Sequence, residues 1–314
     1  MPPSKFPKHF DGKRFYNPNA PQAPGLLDLL RWKLTSRPQP SPNFIQDVEQ
    51  STPPRRVEGP ALRITLINHS TVLLQQRDSN ILTDPIWSER TSPISWAGPR
   101  RRRNPGVSLK NLPPIDTVLL SHNHYDHLDL PTLRKLASRG DSTFIVPSGV
   151  GRLLRSQNIG PAHELDWGES LSLTSHTIHC VPALHFSSRT LFDRNHTLWC
   201  GYVIEYPERL VYFAGDSAFG SHFAQIRERF GSPAIALLPI GAYDPRWFMS
   251  PVHMGPDEAV RAHQILAATT SIAIHHGTFQ LADESIDTPK KQLMSTAGDA
   301  SFLILNNGQF ADFT

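Results

Sequence analysis

From Ala61 onward the apolar positions fall in short stretches of strand length. ALRITLIN, TVLLQQ and NILTD are β-rich runs separated by turn-like residues. Asp116 to Leu120 (DTVLL) predicts the next strand. Further strands are expected at 143–146, 170–175, 177–182, 198–206, 210–214, 234–238, 271–275 and 302–305. Helical patterns fall at Pro131–Ala137, 148–157, 220–230, 256–268 and 288–297. The helix at 256 has clear start signals, with Pro256 in its first turn and Asp257 and Glu258 behind it. Strands outnumber helices, and the helices lie between groups of strands. That order predicts an α/β protein with two mixed sheets and helices outside.

The first 60 residues differ. They hold 12 of the 29 prolines and little periodic apolar pattern, so 1–60 reads as a Pro-rich arm lying on a domain at 61–314. One short helix is expected in the arm, Gly25 to Lys33, docking through Leu26, Leu27, Leu29, Leu30 and Trp32. A loop rich in Pro, Ser and Arg covers 88–114.

Composition narrows the chemistry. Two cysteines exclude a disulfide framework and a Cys-rich zinc module, and both Cys180 and Cys200 sit in strand contexts suited to buried thiols. Fifteen histidines remain to be explained. The net charge is only +3 and the mean hydropathy −0.34, which argues against a chain that coats nucleic acid. The N-terminus has no apolar run behind its charges. No stretch approaches the roughly 18–20 apolar residues of a membrane helix. The expected location is the cytoplasm.

The densest chemistry is LLSHNHYDHLD, directly after the strand at 116–120. It places His122, His124, Asp126 and His127 within six residues. Imidazole nitrogens and a carboxylate oxygen suit a borderline cation such as zinc. Four ligands on one loop cannot close two metal sites, so others are expected from later strand ends. His185 follows HCVPAL, Asp216 follows VYFAG, and His275 ends SIAI.

This order of motifs resembles the metallo-β-lactamase superfamily. Within it, LTDPIWSERTSP, LLSHNHYDHLD, PALHFSSR, YFAGDSAF, GAYDPRWFMSPVHM, PDEAVRAH and AIHHGTF resemble the N-acylphosphatidylethanolamine-hydrolysing phospholipase D family and its bacterial relatives. HFDGKRFYNPN in the arm is similar to that group as well. The resemblance implies an αββα metallo-β-lactamase sandwich and two Zn2+ ions. His122, His124 and His185 would hold the first. Asp126, His127 and His275 would hold the second, with Asp216 bridging them. His276 is the neighbouring alternative to His275, and it departs from the family, which usually has an aromatic residue there. Asp84, in the LTDP turn, is expected to hydrogen-bond a ligand imidazole. The resemblance makes His253 a substrate-side acid or oxyanion donor. Tyr125, Tyr243 and Trp247 are candidate wall residues.

Two zinc ions sharing a water would lower its pKa and stabilise a developing oxyanion. The expected activity is phosphodiester hydrolysis in a phospholipid by a metal-bridging hydroxide, with Asp126, Asp216 and His253 as the catalytic side chains. It would release phosphatidic acid and an N-acylethanolamine. The alternative is a zinc-dependent lactonase or phosphoesterase acting on a small soluble substrate. A nuclease and a non-catalytic metal scaffold rank below both. A phospholipid or small-molecule ester is thus the expected substrate, with no nucleic-acid partner. Peripheral membrane-surface contact and a homodimer are both admitted. Arg100–Arg103 (RRRR) reads as a solvated loop or an attractor of lipid phosphate. Trp87, Trp96 and Arg246–Met249 read as an apolar approach for acyl chains or as core.

Overall fold

The fold is seen in a computed structural model that describes residues 8–314 except 19 and 141. Helix α1 (Leu26–Thr35) precedes strands β1 (Leu62–Asn68), β2 (Thr71–Gln76), β3 (Ser79–Thr83) and β4 (Thr117–Leu119). Next come α2 (Leu130–Ala137), β5 (Thr143–Pro147), α3 (Val150–Ser156) and β6 (Ala162–Leu165). The second sheet starts with β7 (Ser170–Ser172), β8 (Thr177–Val181), β9 (Gly201–Glu205) and β10 (Leu210–Phe213). It continues through α4 (His222–Phe230), β11 (Ile235–Pro239), α5 (Arg246–Met249), α6 (Pro256–Leu266), β12 (Thr270–Ile274), α7 (Thr288–Thr296) and β13 (Phe302–Leu303). The last strand, β14 (Phe310–Phe313), returns to the first sheet beside β1.

The sheet orders are β14-β1-β2-β3-β4-β5-β6 and β13-β12-β11-β10-β9-β8-β7. Strands β3 to β6 run parallel, as do β10 to β13, and antiparallel strands complete each sheet. The two-residue period decides which side chains meet. Leu62, Ile64 and Leu66 of β1 point between the sheets, against Tyr202, Phe213 and Leu237 of the second sheet and their neighbours. The alternate residues Leu73, Leu82 and Val118 face Leu133 and Leu136 of α2 and Val150 and Leu154 of α3. On the opposite side Tyr212, Ala236 and Leu238 face Phe223 and Ile226 of α4 and Ala259 and Ala262 of α6. Central strands buried on both faces therefore read as nearly unbroken apolar runs. The expected two mixed sheets with helices outside are what the chain forms.

Three elements lay outside the expected pattern. AHEL (β6) and FADF (β14) are partly exposed edge strands, too short and too polar to stand out in sequence, although Leu165, Ala311 and Phe313 reach the core. The four-residue helix α5 is too short for a period to register. The start of α6 follows the sequence signals: the Glu258 carboxylate accepts from Gly255 N at 2.9 Å and pairs with Arg246 at 2.7 Å. Cys180 and Cys200 are buried free thiols.

The arm packs on the sheets by a few anchors. His9 bonds Asp166 at 2.6 Å. Trp32 is buried against Phe248, with ring centroids 4.9 Å apart, and its Nε1 donates to Asp283 at 3.1 Å. The docking expected of the helix leucines is corrected here. Leu26, Leu27 and Leu30 are more than half exposed, because the contact with α5 is made by Trp32 on Phe248 and by Arg31 over the Trp247 ring.

The four-arginine run also differs from both of its readings. Arg101 is buried, donates to the Ser88 and Ile86 carbonyls, and lies over the Phe279 ring. Arg103 pairs with Asp47 and Asp287 at 2.9 and 2.8 Å. Arg102 bonds Asn43. Arg100 pairs with Glu89. The run ties a loop to the arm and to the start of α7.

Candidate metal centre

Six of the strands end at one edge of the sandwich, and each is followed by a residue of the cluster. His69 follows β1, Asp84 follows β3, His122 follows β4, His185 follows β8, Asp216 follows β10 and His275 follows β12. The exits are tight. His69, Asp84 and His275 have φ of 48°, 33° and 57°, each a left-handed backbone that costs on the order of 1–3 kcal/mol and persists where the surroundings enforce it. Gly215 (φ 61°) precedes Asp216, and a Cβ there would stand 2.6 Å from the Ser121 side chain. Glycine thus lets the exit of β10 press against the loop of His122. Tyr202 crosses between the sheets and donates to the Leu120 carbonyl at 2.8 Å, pinning that loop from beneath.

The side chains gather in two groups. His122 Nε2 and His185 Nε2 lie 2.9 and 3.1 Å from His124 Nδ1. Asp126 Oδ2 lies 3.2 Å from His127 Nε2 and 3.3 Å from His275 Nε2. Asp216 Oδ2 stands between the groups. It is 3.1 Å from both His127 and His275, 3.8 Å from His185 and 3.9 Å from His122. The sequence-predicted set of His122, His124, Asp126, His127, His185, Asp216 and His275 is thus brought together.

Asp84 lies behind this set and is fully buried. Its Oδ2 accepts from His127 Nδ1 at 2.7 Å and from Ser121 Oγ at 2.6 Å, and its Oδ1 accepts from Ser121 N at 2.7 Å. Ser121 Oγ in turn faces His122 Nδ1 at 2.8 Å. One carboxylate therefore engages the Nδ1 side of both imidazoles, directly or through Ser121, and each turns its Nε2 inward. His185 gives its Nδ1 proton to the Val252 carbonyl at 2.9 Å, with the same result.

The electrostatics divide along the same line. Burial, helped by neighbouring imidazoles, holds His122 well below its ordinary value and His124 at about 3. Burial also lowers His185, to about 4. Burial opposes charge on His127 and His275 as well, but Asp216 and Asp126 outweigh it, raising His127 well above the ordinary range and His275 to about 9. The same imidazoles, led by His127, overcome burial at Asp126 and Asp216 and keep both carboxyls ionised.

This donor set fits a metal ion. Three neutral imidazole nitrogens point at one another, and each can offer at most one proton. His127 Nε2 is buried and faces two carboxylates without hydrogen-bond geometry. The ligand atoms of His122, His124 and His185 lie within 4.8 Å of one another, as do those of His69, Asp126, His127 and His275.

Two members of the cluster were not singled out from sequence. Ser121 directly precedes His122. His69 sits at a strand end, the same signal that marks His185 and His275; its Nε2 is 3.1 Å from Asp126 Oδ2. His276 faces away from the cluster, into a small recess with Arg103, Asp287 and Lys290. His253 stands beside the cluster, its ring 5.0 Å from His185 and 5.3 Å from His275. Tyr243 packs away from the site and donates to Gln292 at 2.6 Å. Tyr125 stays at the site, beneath the Arg189 guanidinium at 3.9 Å.

A cavity of about 920 Å³ opens over His124, Asp126, Asp216 and His253. Its walls are mainly apolar: Leu26 and Leu29 of α1, Phe186, Phe248, Met249 and Val252. Trp87 is half-buried and packs against the core under α2 and α3, and Trp96 is exposed.

Beneath Asp216, Ser217 accepts from Leu184 N at 3.0 Å and meets buried His222 at 3.1 Å. Burial depresses His222 to about 3. The unfolded chain takes up this proton near pH 6.5, and the folded chain only near 3. Stability is therefore expected to fall as pH drops below 6.5, by about 2 kcal/mol at pH 5 from this group alone. A His222→Asn variant, unfolded in denaturant at pH 7 and pH 5, should show that much less acid sensitivity than the parent. Equal sensitivity would exclude the contribution.

Helices outside two mixed sheets, with imidazoles and carboxylates along one edge, are the arrangement of the metallo-β-lactamase fold, a class of metal-dependent hydrolases. The chain belongs to the family described as the beta-lactamase superfamily domain, which matches residues 79–276. It is 35% identical to the N-acyl-phosphatidylethanolamine-hydrolyzing phospholipase D 1 of Caenorhabditis elegans, over 95% of this chain and 92% of that protein. It is 39% identical to an uncharacterized protein of Mycobacterium tuberculosis, over 86% of this chain and 73% of that one. Among solved structures, a metallo hydrolase of the archaeon Ignicoccus hospitalis superposes with a TM-score of 0.61 at 22% identity, covering 81% of this chain and 99% of its own. That likeness concerns the fold.

Proposed function

We propose that the chain is a dinuclear zinc hydrolase that cleaves a phosphodiester of an N-acylphosphatidylethanolamine-type phospholipid. The observation that carries this reading is the apolar cavity opening directly onto the His/Asp cluster. Apolar walls of this extent can take up acyl chains beside the cluster. The 35% identity to the nematode phospholipase D supports the same class.

Zinc would be held by His122, His124 and His185, and by Asp126, His127 and His275, and would supply Lewis acidity toward a phosphoryl oxygen and a water. Asp216 is placed to hold both sets together. The ionised Asp126 and Asp216 orient water through their carboxylate oxygens. His253, kept neutral by burial, retains one N–H and donates it to the substrate phosphate rather than serving as a strong acid. The walls formed by Phe186, Phe248 and Met249 exclude bulk water.

The cavity mouth supports peripheral membrane contact. Leu27 and Leu34 of α1 are 81% and 86% exposed, next to the helix face that lines the cavity. No helix among the described residues is long and apolar enough to cross a membrane.

The test is a substrate panel paired with metal analysis. Turnover of N-acylphosphatidylethanolamine in vesicles, with two zinc ions per chain, is the expected result. Turnover confined to lactones or soluble esters would replace this reading with the small-substrate one. A Leu27→Glu/Leu34→Glu double variant should lose vesicle affinity by roughly 100-fold or more, given about 1.5–3 kcal/mol for each of the two buried leucines. It should still cleave a soluble phosphodiester at the parent rate. Equal vesicle affinity would remove α1 from the membrane contact.

A further inference from the structure

We propose that His69 is a positioning residue of the candidate metal centre: its Nε2–H holds the Asp126 carboxylate and sets the aim of that ligand at the second metal. The inference rests on the reading that Asp126, His127 and His275 hold a metal ion.

The backbone of His69 is fixed on both sides. Its N donates to Thr278 Oγ1 at 3.0 Å, and its carbonyl accepts from His275 N at 2.9 Å. The ring is buried, edge-on to Phe279, with its centroid 4.2 Å from that of His275. Nδ1 has no hydrogen-bond partner, while Nε2 lies 3.1 Å from Asp126 Oδ2. A buried N–H without an acceptor costs about 1–3 kcal/mol. The proton therefore belongs on Nε2, where the carboxylate accepts it.

Among the described residues, the hydrogen bonds to the Asp126 carboxylate come from His69 and His275 alone. When His275 gives its Nε2 lone pair to a metal, it has no proton there for Asp126. The same holds for His127. His69 is then the one remaining donor to a carboxylate whose terminal torsion is intrinsically soft. Its place in the cluster fits a holder rather than a ligand. His127 and His275 each approach both Asp126 and Asp216 to within 3.3 Å. His69 makes its carboxylate approach to Asp126 and none to Asp216.

The experiment compares His69→Ala and His69→Gln with His275→Ala, each zinc-loaded as the full chain. Zinc per chain, the rate of zinc loss to a chelator, the visible spectrum of the cobalt-substituted protein, and kcat and KM are measured. His69→Ala is expected to keep the metal of His122, His124 and His185 and to bind the other roughly 10–100-fold more weakly, the usual cost of removing a partner of a metal ligand. Its cobalt spectrum should shift, and kcat should fall while KM holds. His69→Gln, which keeps an N–H donor, should recover most of the affinity and the parent spectrum. His275→Ala should lose the second metal outright.

Parent-like zinc release, spectrum and kcat in His69→Ala would overturn the proposal. So would a His69→Gln protein that loses a full metal equivalent as His275→Ala does, because His69 would then be a ligand itself. A parent chain with no metal at His127 and His275 would instead overturn the underlying reading, a result visible before any variant is made.

Discussion

Replacing Asp216 with alanine is expected to strip bound metal from both groups and to lower turnover by about a thousandfold or more. The reason is geometric. Asp216 Oδ2 lies within 3.1–3.9 Å of His122, His127, His185 and His275, whereas among the described residues Asp126 pairs only with His69, His127 and His275. On the proposed reading two metal sites share Asp216, so its removal separates them, and it also takes away a charge that faces four imidazoles. Lewis-acid stabilisation is worth several kcal/mol, and each 1.36 kcal/mol is tenfold in rate. Metal analysis and steady-state kinetics on Asp216→Ala and Asp216→Asn check this. Two tightly held metals in the alanine variant would show that Asp216 does not bridge.

Asp84→Asn should be nearly as damaging, although the residue touches neither cavity nor substrate. Its two oxygens accept from His127 Nδ1, Ser121 Oγ and Ser121 N, all in a fully buried setting. An amide of the same shape offers one oxygen and one NH2 group to three donors. To accept from that NH2, His127 must give up its Nδ1 proton and carry it on Nε2, where it blocks a metal. Metal affinity at the second group is expected to drop about 10–100-fold. Stability should fall by roughly 1–3 kcal/mol from the unsatisfied donor. Zinc titration and denaturant unfolding read the two effects separately. An Asp84→Asn protein with parent affinity would mean that the His127 tautomer is set elsewhere.

How much of this was legible in the sequence depended on the kind of signal. His122, His124, Asp126 and His127 are contiguous, so their pattern survives without any structure. His185, Asp216 and His275 could be joined to them only by assuming that strand ends converge, and the sheet order supplies that convergence. His69 carries the same strand-end mark but stands apart from any cluster, and its partner Asp126 is 57 residues away. Ser121 was read as part of a motif, since its role appears only once Asp84 is seen beneath it. The leucines of α1 show the opposite failure: an apolar helix face predicts burial, yet the packed contact is made by Trp32 and the leucines are left at a cavity and in solvent.

By itself the sequence determined the two-sheet architecture, the residues that chemistry needs and the burial of the two thiols. All of these follow from local period and residue type. The tertiary structure decided how the imidazoles and carboxylates divide between two groups, which carboxylate stands between them, and which side chains lie behind them. It also turned a basic run into an internal tie and an arm into one wall of the cavity. Those outcomes depend on contacts between segments as far as 251 residues apart, such as Trp32 with Asp283. Periodicity carries no record of such pairs, because only the closed fold brings their atoms within reach.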